Sequence, residues 1–130
     1  MRLFVADDAT GEWTELTRGS GPAVRIAAAD LARARRARAQ LKADDDVAVI
    51  LDVAVAVGPD FRAAQRDVEA VAGVRYAGTV IGLAGLIADI EAAGVADGVT
   101  LVPASKQLDL RAVGADVLDL LAARPHRRAS

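Results

Sequence analysis

The chain has 130 residues, 53% of them hydrophobic, 26% charged and 3% aromatic, with a formal net charge of −2. That length supports one domain around one core, and falls well short of the roughly 250 residues of a closed eight-unit α/β barrel. The absence of cysteine excludes disulfides, thiol catalysis and cysteine-ligated zinc. The single histidine, His126, excludes a site of several histidines within one chain, so no metal is expected.

The near-balanced charge gives no basic signal for nucleic acid or an anionic membrane. The opening "MRLFVADD" lacks the apolar run of a signal peptide. No segment offers the about 18 uninterrupted apolar residues that a membrane span needs. A cytoplasmic protein is therefore expected. With so few aromatics, the core must be built from Val, Leu, Ile and Ala, the composition of parallel sheets covered by helices.

In chain order, "RLFVA" (Arg2 to Ala6) reads as a short strand, followed by a polar loop or hairpin punctuated by Gly11, Gly19, Gly21 and Pro22. Ala23 to Ala27 reads as a second short strand. Asp30 is placed to cap a helix from Leu31 to about Lys42, with Leu31, Ala34, Ala37 and Leu41 on one face. "VAVILDVAVAV" (Val47 to Val57) is the strongest strand, apolar on both faces and expecting cover on both. Gly58 and Pro59 stop it, and Asp60 caps a helix bearing Phe61, Ala64, Val68 and Val71. Val74 to Ala77 is a short strand and Gly78 a turn. Thr79 caps a helix with Leu83, Leu86, Ile87 and Ile90 inward, and Gly94 stands where a left-handed residue would end it. Val99 to Val102 is the last strand. Asp109 caps a terminal helix with Leu110, Val113, Val117, Leu120 and Leu121 inward.

Alternation of strands and helices of this length predicts right-handed crossovers and a parallel sheet of repeated β-α units, with a short extra N-terminal strand or hairpin. One α/β domain is expected over residues 1–124, followed by a basic flexible tail over 125–130.

The order and spacing of these pieces resemble the C-terminal part of the luciferase-like flavin-dependent monooxygenases, a TIM-barrel family. Gly78-Thr79, the stripe Leu83-Ala84, Ile87 and Ile90, the turn "AAGVADG" (Ala92 to Gly98), the strand "VTLVP" (Val99 to Pro103) and the helix "LDLRAVGADVLDLL" (Leu108 to Leu121) carry the resemblance. Upstream, "AADLARARRARAQL" and "VAVILDVAVAVGPDFRAAQRDV" extend it to roughly Val24 to Ala123. Val80 and Asp119 stand where that family has proline, and the segment before Gly78 is shorter. The resemblance implies half of a TIM barrel, a link to flavin-dependent oxidoreduction, and FMN or a deazaflavin as cofactor. It carries over no catalytic residue, because the family's histidine-bearing loops lie on earlier strands that have no counterpart here.

Parallel sheets bind ligands beyond the carboxyl ends of their strands. That rule points to Gly78, Thr79, Ser105 and Lys106 as a site for a small anion or a flavin phosphate, with helix N–H groups as donors. A plainer role for Thr79 is a helix cap, and for Ser105 and Lys106 an exposed loop. The run Arg33, Arg35, Arg36 and Arg38 spreads over a solvated face. Asp52, inside the strong strand, marks either a pocket or interface or the partner of an arginine. Trp13 is expected to pack on the sheet edge or on a partner chain. Two functions stay open: a reduced flavin-binding oxidoreductase, and a non-catalytic module that binds a small molecule or assembles with a larger oxidoreductase subunit. A sheet with helices on one side only would leave an apolar face bare, so a homodimer burying that face near Trp13 is expected.

Overall fold

A computed structural model describes residues 1–6, 11–57, 73–104 and 109–123. In chain order they form β1 (Arg2–Ala6), β2 (Trp13–Glu15), β3 (Ala23–Ile26), α1 (Leu31–Asp44), β4 (Ala48–Val57), β5 (Arg75–Gly78), α2 (Val80–Ala92), β6 (Gly98–Pro103) and α3 (Leu110–Ala123). The helix expected around Phe61 to Val71, its Asp60 cap and the tail at 125–130 lie outside the described residues.

The fold is α/β, with one mixed six-stranded sheet ordered β2-β1-β6-β4-β3 and β5 also paired to β4. The β1–β6, β6–β4, β4–β3 and β4–β5 pairs are parallel. Only β2 runs antiparallel, hydrogen-bonded to β1 as the return arm of a hairpin. The sheet is therefore not purely parallel, and the N-terminal extra takes the hairpin form.

In a barrel of β-α units each strand pairs with the next in sequence. Here the order differs, because β4 is ten residues long and takes two short strands end to end. Its first half, Ala48 to Leu51, pairs with β3, and its second half, Ala54 to Val57, with β5. The opposite edge is left to β6, matched over Ile50 to Val55. The β5-α2-β6 unit therefore crosses over β4 instead of joining neighbours.

Alternation along β4 sorts its side chains. Leu51, Val53 and Val55 join Leu3, Val5, Val99 and Leu101 in the main core, against Ala34 of α1, Leu83, Ile87 and Ile90 of α2, and Val113 and Val117 of α3. All three described helices thus lie on one face. Removing one of these branched side chains, as in Leu51→Ala, is expected to cost roughly 2–5 kcal/mol. The other face is also withdrawn from water: Ile50 is 0% exposed, Thr100 0%, Ala56 1%, Phe4 4% and Ala54 6%. Both faces of the strand are withdrawn from water within one chain.

The helix ends follow their local chemistry. Asp30 Oδ1 accepts from the Arg33 N–H at 2.8 Å, and Asp109 Oδ1 from the Ala112 N–H at 3.1 Å. At the end of α2, Gly94 has φ +69°. The Gly94 N–H donates to the Glu91 carbonyl (3.1 Å) and the Val95 N–H to the Ile90 carbonyl (3.0 Å). This is the paired closure that a left-handed glycine permits. In α1 only Ala34 of the expected stripe is buried, while Ala37 and Leu41 are half-buried and Leu31 is exposed. A helix of alanines and arginines has little apolar area to bury, and α1 is tied down by charge instead.

Candidate functional site

The described strand ends that face the ligand side of the sheet meet at β4. β5 ends at Gly78, in register with Val57, and β6 at Pro103, in register with Val55. The two ends flank β4 on opposite edges, so about 10 Å separates them laterally. Beyond Pro103 the Ala104 N–H donates to the Val55 carbonyl at 3.0 Å. Between the ends, Ala56 packs with the half-buried Ala77 and Ala104. Among the described residues this cluster is a row of methyl groups.

Thr79 stands at the rim and is exposed. Its Oγ1 accepts from the Gly82 N–H at 3.2 Å, as a helix cap. Its carbonyl accepts from the Tyr76 hydroxyl at 2.8 Å. That hydroxyl leans over the first turn of α2, where a Cβ on Gly82 would collide with it and one on Gly78 would come within 2.6 Å. The helical glycine at 82, otherwise unfavourable, is thus explained by close approach. The N–H groups of Val80 and Ile81 have no acceptor among the described residues, so the rim offers two donors and the positive end of a helix. Ser105 and Lys106 lie outside the described residues.

On the face without described helices, Trp13 stacks on Phe4, with ring centroids 4.4 Å apart and planes 13° from parallel. Its indole Nε1–H donates to Thr100 Oγ1 at 2.9 Å. The Arg25 guanidinium reaches Asp52 through two bonds, 2.7 Å from Nε to Oδ1 and 3.1 Å from Nη2 to Oδ2. Of the two readings of Asp52, the structure shows the arginine pair. Arg2 grips Glu15 in the same two-pronged way, at 3.0 and 2.8 Å. The Thr17 hydroxyl and the Gly19 N–H also donate to Glu15 Oε2. The Arg2 bond, working against burial and helped by Thr17 and Gly19, lowers the Glu15 carboxyl to about 2. The same pairing raises the Arg2 guanidinium.

Asp97 is the joint between α1 and the sheet. Its carboxylate accepts from Arg38 Nε and Nη2 (3.1 and 3.0 Å) and from the Val49 N–H (2.9 Å), and it lies 3.1 Å from Lys42 Nζ. Burial works to raise this carboxyl. The Val49 N–H, Arg38 and Lys42 outweigh it and hold the group below its ordinary range. An open cleft of about 250 Å³ adjoins it, lined in part by Ser20, Pro22, Lys42, Asp46 and Asp97. This cleft sits at the amino ends of β3 and β4, opposite to where parallel sheets hold ligands, and its lysine is already engaged.

Sequence reasoning missed Thr100, Asp97 and the Arg2–Glu15 pair. Only Asp97 had a legible signal, because Arg38 and Lys42 are four residues apart on one helix face. Among the described residues no buried side-chain polar atom lacks a partner. No group of three or more His, Cys, Asp or Glu among them could hold a metal, and no helix among them is long and apolar enough to cross a membrane. The chemistry on offer is hydrogen-bond donation to an anion at the α2 rim. No protein-family model matches the chain, and comparison with curated proteins finds no significant relative.

Proposed function

We propose that the protein is a half-barrel relative of the luciferase-like monooxygenases that binds the phosphate of FMN or a deazaflavin at Gly78, Thr79, Ser105 and Lys106, and turns over no substrate alone. The observation behind this reading is the exposed α2 N-terminus beside the alanine row of Ala56, Ala77 and Ala104. It combines N–H donors that have no acceptor among the described residues with a surface of small side chains, and Lys106 adds a positive charge in the sequence that follows β6. Redox chemistry would be the flavin's own. The non-catalytic half of the reading is supported by the charged pairs of the sheet, Arg2–Glu15, Arg25–Asp52 and Arg38–Asp97, each bound to an internal partner.

The same pairing favours a second reading, a module that assembles with a larger oxidoreductase subunit and binds no cofactor itself. FMN titration followed by flavin fluorescence separates the two. Saturable binding, weakened about tenfold by Lys106→Ala through loss of one charge-assisted contact, supports the first. No binding at millimolar FMN favours the second. Flavin-dependent substrate oxidation by the purified chain would overturn the non-catalytic reading.

A further inference from the structure

We propose that the Asp97–Gly98 step is a self-modification site, where the chain can cyclise to a succinimide and reopen as isoaspartate, and that Arg38 and Lys42 of α1 hold it closed in the folded chain. The proposal is independent of any flavin site. The chain has no asparagine and one Asp-Gly step, at residues 97 and 98. Glycine makes such a step reactive, because it sets no side chain against the attacking nitrogen. Packing demands each half of the pair. A Cβ on Gly98 would collide with the Arg2 carbonyl and press on Ile50 Cδ1. Asp97 is the shared acceptor for Arg38, Lys42 and the Val49 N–H. A labile step is thereby fixed at the joint between α1 and the sheet.

The reaction needs only water. The Gly98 backbone nitrogen attacks Asp97 Cγ, the N–Cγ bond forms, and the carboxyl hydroxyl leaves with the amide proton as water. Water then opens the imide. Breaking the N–Cγ bond restores aspartate. Breaking the bond from Gly98 N to the Asp97 main-chain carbonyl carbon leaves isoaspartate, whose main chain runs through Cβ. Nothing is oxidised or reduced. The fold opposes the first step. Its leaving hydroxyl requires a protonated carboxyl, whereas the Val49 N–H, Arg38 and Lys42 outweigh burial and hold Asp97 ionised. Bonds to both carboxylate oxygens also fix the side chain. The Asp97 N–H donates to the Val49 carbonyl at 2.8 Å and its carbonyl accepts from the Arg2 N–H at 3.3 Å, so the main chain that must turn is tied to β4 and β1. Release of α1 removes the arginine and lysine and leaves the backbone bonds. The open cleft of about 250 Å³ beside Asp97 admits the water that opens the imide.

Heavy-oxygen water reads the reaction, because every passage through the imide leaves a solvent oxygen on residue 97. The whole chain is incubated at neutral pH and the label is located by peptide mass spectrometry. The urea-unfolded chain should take up label at Asp97, and the folded wild type at least about tenfold more slowly. R38A/K42A should label at least about threefold faster than wild type. That rise should exceed the rise in hydrogen exchange at the Val53 amide, which lies in the middle of β4 and reports global opening. R35A/R36A, which removes exposed arginines of the same helix, should label as wild type does. Should R38A/K42A fail to fold, K42A, which keeps the Arg38 bonds, makes the same comparison. Absence of label at Asp97 in the unfolded chain would overturn the proposal. So would equal labelling of the folded and unfolded wild type, a rise in the variant no larger than that of Val53 exchange, or an equal rise in R35A/R36A.

Discussion

Glu15→Gln isolates one charge at the hairpin that closes the sheet edge. In the folded chain the carboxyl is lowered from 4.5 to about 2. A group depressed in this way stabilises the fold above the unfolded value, and the contribution disappears as pH falls through 4.5 towards 2. A fall of that size corresponds to at most about 3 kcal/mol. Both partners keep 17% of their side chains in water, and solvent screening brings the expectation to about 1–2 kcal/mol at pH 7. Glutamine keeps the shape and one acceptor for Arg2, so packing is unchanged. Urea unfolding of both proteins from pH 7 to pH 2, followed by the fluorescence of the only tryptophan, Trp13, reads the difference directly. It should be near 1–2 kcal/mol above pH 5 and should close to near zero by about pH 2. A gap that stays constant across that range would show that the substitution acts through packing, and would refute the electrostatic account.

Thr79→Ala should destabilise the chain by about 1 kcal/mol through loss of the Gly82 cap. A lowered Tm, measured with and without FMN, checks this, whereas an unchanged Tm with weaker FMN binding would make Thr79 a ligand contact only. Gly85 faces open space, where an added Cβ meets nothing within 4 Å, so Gly85→Ala should stabilise α2 by up to about 1 kcal/mol. Gly82→Ala, under the Tyr76 hydroxyl, should destabilise it, and thermal melts that rank the two equally would refute the close approach. Thr100→Val keeps the shape but leaves the Trp13 indole N–H without its acceptor, and should cost about 1–3 kcal/mol in urea unfolding.

Within the described residues, the sequence by itself determined the elements and their ends. Asp30, Thr79 and Asp109 cap helices because their oxygens meet N–H groups only three residues on. Gly94 ends α2 through its own bond to a carbonyl three residues back and that of Val95 to one five residues back. Such features depend on neighbours within one turn, which the sequence places directly. The rim at Gly78 and Thr79 was legible for the same reason. Tertiary structure alone decided which strands adjoin, because the crossover between Gly78 and Gly98 costs nearly the same in chain entropy whichever edge of β4 it returns to. Ten-residue β4 could take β3 and β5 along one edge, and that choice put β6 beside β1. The pairs that followed join residues distant in sequence: Trp13 with Thr100, Arg25 with Asp52, and Arg38 with Asp97. Their bonds form only after the sheet order is set, so no local pattern announces them.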